Sequence, residues 1–456
     1  MAPPSPPRRS AAAPARLVTG STMGHVVSMT FAGSVGLVAI FFVDFLSLFY
    51  ISMLKDERLT AGVGYATTVL FFAISVNVGL MIASSALVAR FLGAGDRDSA
   101  RRMASSGAVL ATLAAAAVSA LILAALPAVL GLLGAEGVAR EVATRFLWIT
   151  MPANALMALG MTLSGILRAT GDARRAMMVT LIGGVATAGL DPLFIFGFGM
   201  GTDGAALATV ASRILFCLVG WQGVVRHHRL MARPSRTDIA HHAGALAQIA
   251  VPAVLTNIAS PVATAFLLSV ARRFGHEAVA ASTIIDRLVP LSFCVIFALS
   301  GSIGPILAQN LGAGRYDRVR QAMKDAALFA VGYCLLVWLV LALGRNTIAA
   351  LFGASEQTAR YVGFFCAVGA AAWVFNSLMF VANAAFNNLG FPLYSTVFNW
   401  GRATLGTMPF ALIGAQYHGY EGMLGGVILG WGLFGLASII TAFRAISRLE
   451  QQKTGP

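Results

Sequence analysis

The chain has 456 residues, 58% of them hydrophobic and 11% charged, with a mean hydropathy of +0.79 and a formal net charge of +14. Soluble domains carry about 25% charged residues, so this composition excludes an ordinary soluble protein and points to a membrane. The positive charge does not indicate nucleic acid, because the basic residues are spread over short loops without a concentrated stripe or an aromatic recognition surface.

The opening MAPPSPPRRSAAAPARLVTG is rich in Pro, Ala and Arg, and residues 1–22 are expected to be a disordered cytoplasmic tail. Its small residues precede the first apolar run, the wrong order for a cleavable signal peptide. Apolar runs follow at 26–50, 62–89, 104–126, 143–166, 176–197, 204–225, 244–270, 279–308, 323–344, 361–386, 394–414 and 422–443. Each is long enough to cross about 30 Å of hydrocarbon as a helix rising about 1.5 Å per residue. The expected fold class is therefore an all-α polytopic membrane protein with twelve transmembrane helices.

The second run ends in Leu-Gly-Ala-Gly, residues 92–95, before Asp96, Arg97, Asp98, Arg101 and Arg102. Residues 311–314 repeat the block before Arg315, Asp317, Arg318 and Arg320. Gly93 and Gly312 lie 219 residues apart, and the same offset relates Gly134 to Gly353 and Gly171 to Gly390. Three blocks at one offset mark a duplication into two six-helix halves that enter the membrane the same way round. The expected organisation is a lobe at 23–226, a cytoplasmic linker at 227–243, a second lobe at 244–446 and a cytoplasmic tail at 447–456. Parallel repeats of this kind place a central cavity between two lobes that rock about it. Each Leu-Gly-Ala-Gly block reads as a capped tight turn, with a gate contact between the lobes as the alternative.

Of the 32 Lys and Arg, 21 fall on the termini and even-numbered loops and 8 on the odd-numbered loops. The positive-inside rule then puts both termini of a multi-pass membrane protein in the cytoplasm. Cys217, Cys294, Cys334 and Cys366 all sit in apolar runs without CxxC spacing and read as packing residues, so no metal site is expected from them. The histidine pairs in the linker could bind metal; a solvated linker is the plainer reading.

Ionisable groups inside spans are costly and are functional candidates by default. Asp44 and Asp191 lie near the outer ends of helices 1 and 5, and Thr209 is at a similar depth in helix 6. Thr187 is one turn from Asp191, and Arg213 one turn beyond Thr209. Two carboxylates in a low-dielectric pocket cannot easily both stay ionised, so one is expected to take up a proton near neutral pH. Carboxylate and hydroxyl oxygens could instead hold sodium. The structural alternative is an ion pair of Asp191 with Arg213, or with Arg287 beside Asp286. The second half has Ala263 opposite Asp44 and mainly amides, among them Asn257 and Asn376, so ion binding is expected in the first lobe.

The segments VDFLSLFYISML, GYATTVLFFAISVNVGLMIASSALVARFLGAGDRDSARR, LSGILRATGDARRAMMV, LDPLFIFGFGMGTDGAALATVASR and ALSGSIGPILAQNLGAGRYDRVRQAM together resemble the multidrug and toxic compound extrusion (MATE) family, over about residues 22–446. The resemblance implies a V-shaped pair of lobes that exports amphipathic, often cationic compounds in exchange for protons or sodium. It maps the family's first-lobe cation site onto Asp44, Asp191 and Thr209. Departures are Thr187 where the family often has Asn, Ala32 where a proline often stands, and Ser260 and Asn376 where the sodium-coupled branch has acidic residues. These favour a proton over sodium and a likeness to the DNA-damage-inducible branch.

The expected function is a secondary antiporter for multidrug efflux, working without a cofactor as a monomer, with small amphipathic or cationic organic substrates and membrane lipid as partners. The alternative is a flippase for a lipid-linked or polysaccharide substrate; only Arg213, Arg287 and Arg402 are available inside the spans to meet phosphate. Enzyme function is not expected, because Lys55, Lys324 and Lys453 lie outside any GxxxxGK[ST] context and the seven histidines form no HExxH.

Overall fold

The computed structural model describes residues 15–454. The first half contains α1 (Thr22–Ser52), α2 (Glu57–Gly93), α3 (Arg97–Ala124), α4 (Leu126–Leu132), α5 (Gly137–Thr150), α6 (Asn154–Ala169), α7 (Ala173–Pro192) and α8 (Gly201–Trp221). The second contains α9 (Arg236–Ala271), α10 (His276–Gly312), α11 (Tyr316–Leu351), α12 (Glu356–Phe364), α13 (Trp373–Leu389), α14 (Pro392–Ala403) and α15 (Met408–Thr454). Side-chain caps fix several starts: Asp56, Asp96 and Asp172 accept from the backbone N–H groups of Arg58, Ser99 and Arg175 at 2.9, 2.9 and 3.1 Å.

Nine helices among the described residues are long and apolar enough to span a membrane, and two bent pairs, α5 with α6 and α12 with α13, add one span each. The segment Pro392–Gln452 is itself two spans. Helical geometry fails at His418 and Gly419. Around them a Cβ on Gly414 would meet Gly422 O at 1.9 Å, one on Gly426 would meet Phe410 O at 2.0 Å, and one on Gly430 would meet Gly406 O at 1.4 Å. Each pair is centred on residue 418, the register of an antiparallel hairpin, so the count of twelve stands. The expected single helices 143–166 and 361–386 are corrected to bent pairs of 54° and 56°.

The membrane asks for apolar exteriors, and Leu121, Leu132, Leu343 and Leu351 are 70%, 89%, 79% and 80% exposed. The best-covered span is α10, with 72% of its apolar window buried. It packs against α1 and α2 of the first half and α11 and α13 of its own half.

Contacts between the halves concentrate at one end. A Cβ on Gly93 would lie 2.0 Å from Gln309 O, and one on Gly312 would lie 2.0 Å from Arg90 O. The two Leu-Gly-Ala-Gly blocks therefore meet helix to helix across the interface, each first glycine admitting the other half's backbone. The second glycines make the turns, with φ +77 at Gly95 and +68 at Gly314. Nearby, Arg90 Nη2 donates to Asn388 O at 2.9 Å and Gln309 Nε2 to Ala169 O at 2.6 Å. The blocks thus serve both as turns and as contacts between the halves.

Three expectations about connecting segments are corrected. Residues 1–22 are not a free tail throughout: residues 1–14 lie outside the described residues, but Leu17 is 1% exposed. Its N–H donates to Gln309 Oε1 at 3.0 Å and its carbonyl accepts from Asn310 Nδ2 at 3.1 Å. The linker 227–243 is not merely solvated, since α9 begins at Arg236 and Leu230 is 1% exposed. Ala232 exchanges two hydrogen bonds with Ser105 of α3, at 2.8 and 2.9 Å. Residues 447–454 of the expected tail continue α15, where Glu450 pairs with Arg320 at 2.5 Å. Asp317 pairs with Arg315 at 3.4 Å.

Candidate functional site

Asp44 lies on α1 eleven residues beyond Gly33, and eleven residues rotate a helix by about three full turns, so the two share a face. A Cβ on Gly33 would meet the Cβ of Ala298 on α10 at 3.3 Å. Asp44, about 16 Å further along the axis on that face, is exposed. The halves touch at Gly33, and Asp44 stands exposed on the same face of α1, the face turned toward the second half. The stripe formed by Phe42, Phe45 and Phe49, at 59%, 61% and 50% exposure, lies on another side of α1.

Asp191 ends the regular part of α7, just before Pro192 and a π-helical turn over Leu193–Gly197. It is 1% exposed. Its carboxylate accepts a hydrogen bond from the hydroxyl of Ser47. Ser47 is one turn from Asp44, where side chains at i and i+3 have Cβ atoms about 5–6 Å apart. Ser47 therefore ties α1 to the buried Asp191 carboxylate one turn away from Asp44, and no hydrogen bond joins Ser47 to Asp44 among the described residues. The expected ion pair of Asp191 with Arg213 does not form: Arg213 is 6% exposed and donates from Nη1 to Thr150 O at 2.7 Å. Arg287 is exposed and makes no salt bridge with Asp286 or Asp191 among the described residues.

The threonines behave alike. Thr187 Oγ1 donates to Gly183 O at 3.1 Å and Thr209 Oγ1 to Ala205 O at 3.0 Å. Donating backwards to the helix satisfies each hydroxyl proton and leaves the oxygen lone pairs for a cation. Ser47 escaped the sequence reading, though its place three residues after Asp44 was the signal that could have found it.

The second-half candidates separate. Asn257 Nδ2 is taken by Ala253 O at 2.9 Å. Asp286 and Asn376 line a cavity of 380 Å³ with Ser260, Arg402, Trp373 and Trp431. Among the described residues, Asp172, His227 and His228 also bring possible ligand atoms within 4.8 Å of one another, near the start of α7. Arg175 already holds Asp172 at 2.5 Å, and His228 Nε2 lies 2.9 Å from it. Burial raises the Asp172 carboxyl, but hydrogen bonds from Arg175 and His228 outweigh it and leave the group below the ordinary carboxylate range. Burial lowers His228 further than Asp172 raises it.

Comparison with known proteins agrees with this architecture. The MatE family model matches residues 34–193 and again 252–413. A FAD transporter of Shewanella oneidensis is 28% identical over 406 residues, covering 88% of this chain and 89% of that protein. The multidrug export protein MepA of Staphylococcus aureus is 24% identical over 421 residues, covering 89% and 90%. The MATE transporter VcmN of Vibrio cholerae in its bent form superposes with TM-score 0.89 at 22% identity, over 94% of this chain and 98% of that one. An outward-facing multidrug resistance MATE transporter gives 0.89 at 23% identity, over 96% and 98%. Two copies of the family pattern, a twelve-span duplicated fold and halves that meet at one end make the chain a member of the MatE family of multi-pass membrane transporters.

Proposed function

We propose that the protein is a secondary antiporter of a bacterial inner membrane that exports small amphipathic organic compounds, cationic ones among them, as a proton is taken up at the Asp44–Ser47–Asp191 group. The single observation that supports this most is the hydrogen bond from Ser47 of α1 to the buried Asp191 carboxylate of α7, one helical turn from the exposed Asp44. Protonation removes a charge from that place, and an ion that binds one arrangement of the halves better than another shifts the equilibrium toward it. Exported compound and proton then favour opposite arrangements. Lone pairs on Thr187 and Thr209 would suit sodium in the same place, though Thr187 supplies no amide carbonyl.

Orientation follows from charge. Arg97, Arg318 and Arg320 gather at the end where Leu17 and the last turns of α15 lie, and the positive-inside rule makes that end cytoplasmic. The halves meet there, and Asp44 stands exposed further along α1, which supports an outward-open state. The S. oneidensis relative favours a second reading, in which the cargo is an aromatic phosphate ester such as FAD.

The experiment is uptake of a fluorescent drug into inverted vesicles under an imposed pH or sodium gradient, with Asp44→Asn beside the parent. Loss of gradient-driven uptake in the variant is expected. Equal uptake by both would remove Asp44 from the mechanism, and acceleration by a sodium gradient alone would replace the proton.

A further inference from the structure

The cavity of 380 Å³ lies wholly in the second half, apart from the carboxylate pair, and its lining holds one acidic and one basic residue, Asp286 and Arg402. Arg402 is 6% exposed. Its Nη2 donates to Ser260 Oγ at 3.0 Å, and its guanidinium stands 5.6 Å from the centre of the Trp431 ring. Among the described residues it makes no salt bridge, with Asp286 or any other carboxylate. A buried cation is ordinarily paired, and this one is matched only by a hydroxyl and a ring face.

Nine buried side-chain polar atoms among the described residues have no hydrogen-bond partner, and three of them, Arg402 Nε, Trp373 Nε1 and Trp431 Nε1, belong to this one cavity. All three are N–H donors that cannot accept, so what these lining residues lack is an acceptor. Trp373 is 5% exposed and stacked on Phe293 at 4.5 Å, with Trp431 edge-on at 5.7 Å. The indoles are thus held in place by packing. Buried donors left unmet in native structures are uncommon, and two indole N–H groups beside a guanidinium that has no carboxylate partner mark a region rich in donors and short of acceptors. The volume falls within the usual range of about 300–1,000 Å³ for small-molecule sites, and the walls are mainly apolar and aromatic.

We propose that this cavity binds an aromatic organic anion, with its oxygen-rich anionic group at Arg402 and the two indole N–H groups and its ring system among the aromatic walls. The proposal names a cargo class for the export reading above and rests on that reading for its transport consequence, whereas the binding step stands without it. Asp286, on the same wall system, repels a second negative group and sets the limit at cargo whose charge is concentrated at one end.

The test is equilibrium dialysis of the purified full-length protein against riboflavin 5′-phosphate, with riboflavin as the matched neutral ring and rhodamine 6G as an aromatic cation. The phosphate form should bind about tenfold more tightly than riboflavin, the scale of one charge-assisted hydrogen-bonded contact. Arg402→Gln should erase that preference and Arg402→Lys should keep part of it. Trp373→Phe and Trp431→Phe each remove an N–H while keeping a ring, and should weaken the phosphate form several-fold; they decide the matter if Arg402→Gln does not fold. Equal binding of riboflavin and its phosphate overturns the proposal, as does a preference that survives Arg402→Gln or displacement of the phosphate form by rhodamine 6G in an Asp286-dependent way. No gradient is present, so the two readings fail separately. Normal binding without transport removes the export reading alone, and drug transport without the anion preference removes this proposal alone.

Discussion

Replacing Gly93 by Ala puts a methyl group where the carbonyl oxygen of Gln309 lies 2.0 Å away, against ordinary contacts of 3.4 Å or more, so α2 and α10 must part by about 1.4 Å at that point. Overpacking of this kind costs about 1–3 kcal/mol. The cost falls on the arrangement in which the halves meet there and is relieved once they separate. It should therefore shift the equilibrium between arrangements by about 5- to 150-fold. The assay is pulsed electron resonance distance measurement between labels at Asp98→Cys and Asp317→Cys, equivalent exposed sites one on each half, in a chain whose four native cysteines are replaced. Gly93→Ala should move weight to longer distances. Gly312→Ala, whose methyl would meet Arg90 O at 2.0 Å, should do the same, and the double variant should do less than the sum because the sites share one contact. Gly332→Ala is the control, since nothing lies within 4 Å of its new methyl. A folded Gly93→Ala protein with the parent's distance distribution would refute the view that these glycines hold the halves together.

Ser47→Ala leaves the buried Asp191 carboxylate without its hydroxyl partner and should lower stability by about 1–3 kcal/mol, read as a fall in melting temperature in detergent. An unchanged melting temperature would mean Asp191 does not depend on Ser47. His228 sits below its ordinary value through burial. The unfolded chain therefore binds the proton more readily, and the stability His228 contributes is complete above about pH 6.5 and lost as pH falls from there toward the folded value. Asp172 is also lowered, so its contribution persists to more acid pH and fades below the ordinary carboxylate range. Melting curves from pH 7.5 to 5 should show the loss in the parent, and His228→Gln should flatten it; an equal slope in both would assign it elsewhere. Gly430→Ala drives a methyl to 1.4 Å from Gly406 O inside the last hairpin and should abolish folded yield in size-exclusion profiles, whereas Gly425→Ala beside it, with nothing within 4 Å, should be silent.

Much of this architecture was legible in the sequence because a bilayer imposes a simple rule on each span. The duplication was legible because glycines recur at one offset, and the structure adds why Gly93 and Gly312 recur: each is a point of backbone contact with the other half. The bend between α5 and α6 carries Pro152, a readable breaker in a run taken as straight. The bend between α12 and α13 falls at Ala370, Ala371 and Ala372, directly after Gly369 and the π-helical turn Phe365–Gly369, a weaker signal than proline. Leu17 was invisible because one leucine in a Pro- and Arg-rich stretch has no periodicity. Asp44 and Asp191 stood out by charge; the partner of Asp191 did not, because Ser47 is common chemistry until α1 and α7 are placed side by side. Trp373 and Trp431 lie far apart in the chain, and only the folded second half reveals that both indoles line one cavity and that their N–H groups lack acceptors.

Leu17 has one seat made of two moving parts. Its side chain rests on Gly171 of the first half, while its backbone is held by Gln309 and Asn310 of the second, and Arg318 donates to Thr19 O at 3.4 Å just behind it. The halves cannot draw apart at this end without unseating the leucine from one side. The short stretch ahead of α1 therefore works as a latch across the seam.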